Sequence, residues 1–115
     1  MIDFACKHFD IDEIIKCGLG LTKAEMRLLH GFLAEGPNVL TTATLAKKNN
    51  LDLSTVQKGV KKLYEKGVLV RSQRNSSVGG YVYVYALKPK KEIRATIKEI
   101  IRAWEHKVEA AIDRW

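Results

Sequence analysis

Three observations predict an α+β fold that is mostly α-helical. Apolar residues recur at spacings of three and four in five separate stretches, as they do along the buried face of an α-helix. One further stretch, residues 68–85, combines β-branched and aromatic residues with a central turn rich in serine and glycine, which is typical of a β-hairpin. With 115 residues, the chain is long enough to bury one core without disulfides. We therefore expect a single domain, residues 1–115, with five helices and one hairpin.

Residues 1–21 are predicted to form a helical extension ahead of the main core. Within it, residues 10–17 have an apolar face and begin with acidic side chains, which favour the positive end of the helix dipole. We expect the glycines of residues 18–21 to end this helix. A second helix then begins at Thr22, because Thr22 and Glu25 match a capping box in which each side chain satisfies a free backbone N–H group.

Residues 41–48 and 54–66 are predicted to be two helices joined by a tight turn. In the second of them, Val56, Val60 and Leu63 lie on one stripe that faces the core. We expect Ser54 to cap its first turn and Gly67 to end it in the left-handed conformation. This arrangement is the helix-turn-helix pattern, in which the second helix enters the major groove of DNA. Its outer face carries Thr55, Gln57, Lys58, Lys61 and Lys62.

The net charge of +7 is concentrated on this second helix and on the segment that follows it. Residues 54–74 contain six basic residues and one acidic residue, whereas residues 1–36 contain four basic and six acidic ones. A basic patch confined to one surface is the electrostatic footprint of a phosphate-binding protein. The lysines supply salt-dependent affinity for phosphates, and the Gln57 amide is suited to reading an adenine edge. We therefore expect double-stranded DNA as the partner.

The hairpin is predicted to have strands at residues 68–74 and 81–85 and a turn at residues 75–80. Alternation along the second strand places Tyr81, Tyr83 and Tyr85 on one face. We expect these rings to pack against the C-terminal helix. The alternative is that they stack on unpaired bases, which would make the protein an RNA binder.

Pro89 is predicted to start a last helix, at residues 90–115, which is longer than this small core requires. Its apolar residues follow spacings of three and four along a continuous stripe that includes two tryptophans. Such a stripe is unfavourable on the surface of a monomer, so we expect a homodimer, with or without a contribution from the helix at residues 10–17. The predicted dimerisation residues are Ile93, Ile97, Ile100, Ile101, Trp104, Val108, Ala111, Ile112 and Trp115.

The capping box, the helix pair, the hairpin and the run Leu63-Tyr64-Glu65-Lys66-Gly67-Val68-Leu69 together resemble the DNA-binding domains of MarR-like and TrmB-like transcriptional regulators. The resemblance covers residues 18–87 and is most specific at residues 63–69. It implies a winged helix-turn-helix core at residues 22–87 with a two-stranded wing, and a C-terminal dimerisation helix at residues 88–115. It also implies sequence-specific binding to operator DNA as a homodimer. The recognition helix, residues 54–66, is then expected in the major groove, and the wing, residues 68–87, on the backbone or in the minor groove.

Residue roles follow from the same resemblance. The recognition helix would contact DNA through polar and basic side chains, and the wing through two arginines. The expected DNA-contacting residues are Thr42, Ser54, Thr55, Gln57, Lys58, Lys61, Lys62, Arg71 and Arg74.

Two alternatives to this function are open at the level of sequence. Cys6 and Cys17 could form a thiol-based redox sensor or bind a metal together with His8, although their spacing matches no familiar zinc pattern. Alternatively, the winged helix could be a protein-interaction module that docks on the transcription machinery, with its basic face toward an acidic partner.

No local motif for catalysis is present, since the chain lacks a nucleotide-binding glycine loop, a metalloprotease helix and a serine elbow. We therefore expect a protein that is not an enzyme and has no cofactor, and whether a small-molecule effector binds is open at the level of sequence. The N-terminus lacks the pattern of a signal peptide and no apolar run is long enough to span a bilayer, which predicts a cytoplasmic protein without membrane contact. The 115 residues leave no room for the effector domain of many TrmB-like regulators, so sugar sensing is not expected.

Overall fold

Residues 2–115 are described by the computed structural model and form five α-helices and two separate antiparallel hairpins. The predicted mostly helical α+β fold and its winged helix-turn-helix architecture are confirmed, and one hairpin is additional. The elements in chain order are β1 (Ile2–Phe4), β2 (Lys7–Phe9), α1 (Ile11–Leu19), α2 (Lys23–Glu35), α3 (Thr42–Asn49), α4 (Leu53–Glu65), β3 (Leu69–Asn75), β4 (Tyr81–Leu87) and α5 (Lys90–Asp113).

The core lies where α2, α3 and α4 cross beneath the base of the second hairpin. Its largest fully buried side chains include Phe32 and Leu28 of α2, Leu45 of α3 and Leu63 of α4. Helices α2 and α4 approach closely at Gly59, where a Cβ atom would overlap Cδ1 of Leu28. A larger residue at this crossing would force the leucine to move, so Gly59 sets the distance between α4 and the core.

Helix α1 continues through Gly18 to Leu19, so the break predicted at residues 18–21 begins too early. Leu19 is completely buried, and keeping the chain helical carries it into the core. Gly18 lies against α5, where an added Cβ atom would be 3.7 Å from Cγ2 of Ile100. The helix ends at Gly20, whose left-handed φ of 66° is easily adopted by glycine.

The capping box predicted at the start of α2 is confirmed. Oγ1 of Thr22 accepts a hydrogen bond from the backbone N–H of Glu25 at 3.2 Å, and Oε1 of Glu25 accepts one from the backbone N–H of Thr22 at 2.7 Å. The box fixes the first turn of α2 and also holds the Glu25 carboxylate in place, beside α4.

A short hairpin, β1 and β2, precedes α1. This region was predicted from the sequence to be helical. Ile2 pairs with Phe9 and Phe4 pairs with Lys7. The Lys7 ammonium also lies over the Phe9 ring, 5.2 Å from its centroid. Strands of three residues contain too few alternating positions to register as a pattern, which is why they were missed. The described part of the extension is therefore a hairpin followed by α1.

Helix α5 has nearly the predicted span, and Pro89 lies at its N-cap. Its first half packs onto the molecule, since Ile93 is buried and Ile97 and Ile100 pack against the core while half-buried. The helix then continues past the core, and the molecule measures 60 Å along its longest axis against 25 and 23 Å along the others. None of the helices within residues 2–115 combines the length and the apolar character that crossing a bilayer requires.

Candidate nucleic-acid interface

The turn between α3 and α4 is held by specific hydrogen bonds. Asn50 adopts a left-handed φ of 52°, and the backbone N–H of Leu51 donates to the carbonyl of Ala46 at 3.0 Å. The Arg27 guanidinium, on α2, donates to the carbonyl of Asn49 at 2.7 Å. The turn is therefore tied to the core, and it fixes how α4 leaves α3.

The starts of these two helices agree only in part with the prediction. Thr41 caps α3, since its Oγ1 accepts a hydrogen bond from the backbone N–H of Thr44 at 3.2 Å. Ser54 does not cap α4, so that prediction is wrong. The first helical bond runs from the N–H of Val56 to the carbonyl of Asp52 at 3.0 Å, which makes Asp52 the N-cap residue. Ser54 lies inside the first turn and is exposed, so capping does not use its hydroxyl.

Helix α4 has the two faces predicted from the sequence. Its buried stripe consists of Val56, Val60 and Leu63, each at most 1% exposed. Gln57, Lys58 and Lys61 are exposed on the other side, and Thr55 is half-buried. Throughout residues 2–115, no ion pair involves Lys58 or Lys61. We call Gln57, Lys58 and Lys61 the outer face of α4.

Lys62 differs from the other lysines of α4 because it is held in an ion pair. Its Nζ lies 3.0 Å from Oε1 of Glu25 on α2, and the two side chains are only 33% and 14% exposed. Burial raises the pKa of Glu25, but the Thr22 N–H and the Lys62 ammonium together outweigh it, and the pKa lies below its ordinary value. The pair braces α4 against α2 and leaves Lys62 less available to a phosphate than Lys58 or Lys61.

The β3–β4 hairpin is the wing. Helix α4 ends at its junction with the wing as predicted. Gly67 has a left-handed φ of 85°. The N–H of Gly67 donates to the carbonyl of Tyr64 at 3.1 Å, and the N–H of Val68 donates to the carbonyl of Leu63 at 3.2 Å. These two bonds form a Schellman motif, which satisfies free carbonyls at the helix end and directs the chain into β3.

The wing is anchored at its base and exposed at its far end. Val84 and Tyr85 are buried, and Tyr85 exchanges two backbone hydrogen bonds, of 2.7 and 2.8 Å, with Leu40 in the segment before α3. Arg74 lies opposite Val82, near the turn, and is exposed. The wing therefore extends from the core and carries an exposed cationic side chain close to its tip.

A cleft with a volume of about 280 Å³ lies between α4 and the wing. The face of β4 that carries the tyrosines lines it, together with Thr42 and Gln57. The tyrosine face was expected to pack against the C-terminal helix, and that prediction is wrong, because the face lies toward α3 and α4. Tyr85 is buried, whereas Tyr81 and Tyr83 remain 74% and 43% exposed. The cleft brings two predicted DNA-contacting residues, Thr42 and Gln57, to one place.

Arg71 lies where α4 meets the wing, and its neighbours were not predicted. Its Cζ atom is 4.4 Å from the centroid of the Tyr64 ring, at the end of α4, and 4.5 Å from that of the Tyr83 ring, on β4. Both distances are in the range of cation–π contacts. The sequence signal was weak, because the rings are far apart in the chain and only the folded hairpin brings them together.

The proposed thiol or metal residues are not assembled into a site. Cys6 and Cys17 are both free and exposed. Nδ1 of His8 contacts the carboxylate of Asp3. In the part of the chain from residue 2 onward, no group of three or more histidine, cysteine or acidic side chains is arranged to hold a metal ion.

The predicted dimerisation residues fall into two groups. Ile93, Ile97 and Ile100 are used within the chain, since they pack on the core. The remaining residues form an apolar stripe along the second half of α5 and just beyond it, in which Trp104 and Ile112 are 62% and 61% exposed. This α5 stripe consists of Ile101, Trp104, Val108, Ala111, Ile112 and Trp115.

Comparison with known sequences gives a family match along most of the chain. A family model described as the DnaD N-terminal domain matches residues 11–108. The chain is also 31% identical over 99 residues to the uncharacterized protein MJ1503 of Methanocaldococcus jannaschii, which covers 86% of this chain and 74% of that protein. The DnaD family was not anticipated from the sequence.

Solved structures are similar over almost the whole chain. A possible transcriptional regulator from Methanosarcina mazei Go1 has a TM-score of 0.91 and 45% identity, covering 100% of this chain and 96% of its own. TrmBL2, an archaeal chromatin protein, has a TM-score of 0.60 at 19% identity, covering 90% of this chain and 36% of its own. A MarR-family regulator from Silicibacter pomeroyi has a TM-score of 0.51 at 24% identity, covering 90% and 64%.

The likeness to TrmBL2 and to the MarR-family protein is one of fold, and it confirms the winged-helix resemblance stated from the sequence. The 45% identical structure from Methanosarcina mazei Go1 is described as a possible transcriptional regulator, which is a class of proteins that are not enzymes. The chain therefore belongs to the DnaD N-terminal domain family and has the winged-helix fold of MarR-like and TrmB-like transcriptional regulators.

Proposed function

We propose that this protein is a transcriptional regulator that binds double-stranded DNA sequence-specifically as a homodimer. Helix α4 would lie in the major groove, and the wing would lie on the backbone or in the minor groove. The observation that carries the proposal is the outer face of α4, where Lys58 and Lys61 are exposed and form no ion pair with any acidic side chain of residues 2–115. The 45% identical structure described as a possible transcriptional regulator supports it. Such a protein acts on the genome, which accords with the expected cytoplasmic location.

Each side chain of the interface has a distinct proposed role. Lys58 and Lys61 neutralise backbone phosphates, which makes binding salt-dependent but not sequence-dependent. Gln57 lies on the same face and carries the amide that can read an adenine edge bidentately. Ser54, freed from capping, and Thr55 offer hydroxyl groups to the backbone from the first turns of α4. Sequence preference then rests mainly on Gln57.

Two of the predicted contacts are supported by other parts of the structure. Thr42 lies at the start of α3, in the cleft beside Gln57, where its hydroxyl can meet a phosphate next to the base that Gln57 reads. Arg74 extends the basic surface from α4 onto the wing. Lys62 is proposed to position α4 through its ion pair with Glu25, and not to bind phosphate itself.

The proposed homodimer is formed by the α5 stripe. Residues such as Trp104 and Ile112 are large, apolar and mostly exposed. If a second copy of the chain covered them, this apolar surface would be removed from water. In the proposed dimer, the two recognition helices would face the same side of the DNA. Such pairs bind half-sites about 34 Å apart, one turn of the DNA helix.

The proposal is tested by fluorescence anisotropy with a random-sequence duplex over a salt series, on protein whose mass in solution is measured in parallel. We expect a dimer that binds with micromolar affinity at low salt and loses affinity steeply as salt rises. A single-stranded RNA of the same length is the control and should bind more weakly. A folded protein that does not bind duplex DNA even at low salt would contradict the proposal and favour the protein-interaction module.

A further inference from the structure

The Arg71 guanidinium is held in place by residues from both sides of the α4–wing junction. Tyr64 comes from the last turn of α4 and Tyr83 from β4, and Cζ of Arg71 lies over both rings at 4.4 and 4.5 Å. The Tyr83 hydroxyl accepts a hydrogen bond from Nε2 of Gln73 at 3.2 Å, which helps to fix that ring. The Arg71 side chain is therefore contacted by both elements that meet at the junction.

The hydrogen-bonding groups of this guanidinium are nonetheless unused. The two rings meet the guanidinium near its central carbon, and its five N–H donors form a planar fork around that atom. Within residues 2–115, no hydrogen bond to another side chain and no ion pair involves Arg71. The guanidinium of Arg71 therefore has N–H donors to offer to a ligand, and its planar fork suits a ligand with two anionic oxygens.

The position of Arg71 relative to α4 indicates which ligand this is. Gln57, Lys61 and Tyr64 follow one another at spacings of four and three residues, so they form one row along the helix. The row starts at the residue suited to reading a base and ends at the ring beneath Arg71. A backbone that runs along this row would pass Lys61 and then reach Arg71.

We propose that Arg71, held between Tyr64 and Tyr83, is a pre-ordered binding site for a phosphate of the DNA backbone. This inference rests on the proposed function and adds to it a specific anchor at the junction of helix and wing. Because the stacked side chain has little freedom left to lose, it binds its phosphate at a lower entropic cost than a flexible surface lysine. One phosphate thus contacts a group that both the recognition helix and the wing hold in position.

Arg74 provides a matched control for this site. It lies on the same strand and is also exposed, but no aromatic ring lies within cation–π distance of it in the described residues. Arg71→Lys keeps the charge but loses the planar fork and the stacking, so affinity for duplex DNA should fall about tenfold. Arg74→Lys keeps the charge of a flexible phosphate contact and has no stacking to lose, so affinity should fall only about twofold, clearly less than for Arg71→Lys.

Salt dependence distinguishes a phosphate contact from a purely structural role. Arg71→Ala should weaken binding to a random-sequence duplex and reduce the slope of log affinity against log salt by about 0.9, the value for one phosphate. Tyr64→Leu and Tyr83→Leu should each weaken binding about threefold with the slope unchanged, because they loosen the arginine but keep its charge. Circular dichroism establishes that each variant is folded.

Several outcomes would overturn the inference. A wild-type slope in folded Arg71→Ala would mean that Arg71 contacts no phosphate. Equal effects of Arg71→Lys and Arg74→Lys would mean that the stacking contributes nothing. If Lys58→Ala and Lys61→Ala flatten the slope while Arg71→Ala does not, this inference fails and the proposed function stands. If the wild type does not bind duplex DNA, both fail.

Discussion

Helices α4 and α5 both carry apolar residues along one face, but the chain covers this face fully in α4 and only in the first half of α5. In α4, Val56, Val60 and Leu63 are buried against α2 and α3, and the face left to solvent is cationic. In the second half of α5, Trp104 and Ile112 remain mostly exposed. The period of a pattern therefore predicts which face of a helix is apolar, but the path of the rest of the chain decides whether that face is covered. We infer that the charged face of α4 binds DNA and that the α5 stripe contacts a second copy of the chain.

The largest expected effect contrasts the two stripes directly. Leu63→Ala should lower the free energy of unfolding by about 3 kcal/mol, because it leaves a cavity in a fully buried site. Ile112→Ala, the matched change on the α5 stripe, should cost less than about 0.5 kcal/mol at protein concentrations low enough for monomers. Urea unfolding of both variants measures this difference. A cost for Ile112→Ala close to that of Leu63→Ala would mean that the chain itself covers the α5 stripe.

The next effect concerns the partner of the α5 stripe. Trp104→Glu should raise the dimer dissociation constant about 30-fold or more, since it places a charge where a large aromatic side chain was to be buried. Lys98→Glu also alters an exposed residue of α5, outside the stripe, and should leave the dimer largely intact. Sedimentation equilibrium measures the dimer dissociation constant of both variants. Finding the wild type monomeric at every concentration would remove the homodimer from the account.

A smaller effect tests the brace that holds α4 against α2. The folded-state pKa of Glu25 is lowered, so its ionised form adds stability above the ordinary glutamate pKa, and this contribution is lost as the pH falls through the lowered pKa. Glu25→Gln should therefore reduce the free energy of unfolding by about 1 kcal/mol at neutral pH, and the difference from wild type should shrink in acid. Glu99→Gln, an exposed change on α5, is the control for urea unfolding across pH. A deficit that persists unchanged in acid would show that the ionised pair is not its cause.

The features that the sequence predicted well depend on residues close together in the chain. The capping box of Thr22 and Glu25, the end of α4 at Gly67 and the buried stripe of α4 all lie within single elements. Even local signals can mislead where two candidates compete. Asp52 and Ser54 are both good capping residues, and the helix starts after the first of them.

The features that the sequence missed depend on distant partners. Lys62 was grouped with its neighbours as a phosphate contact, yet Glu25, 37 positions away, holds it in an ion pair. Arg71 was expected in the wing, but its two aromatic neighbours come from different elements and are brought together by the register of β3 and β4. Charge and composition identify a basic surface. Only the fold distinguishes side chains that brace the surface from those that are free to bind.

The salt dependence of binding tests most directly whether the outer face of α4 binds DNA phosphates. The measurement compares wild type, Lys58→Ala, Lys61→Ala and Lys98→Ala on one random-sequence duplex by fluorescence anisotropy. The account predicts that each change on α4 weakens binding and flattens the slope by about 0.9, whereas Lys98→Ala, which removes the same charge from α5, leaves the slope unchanged. Equal slopes for all four proteins would contradict the account.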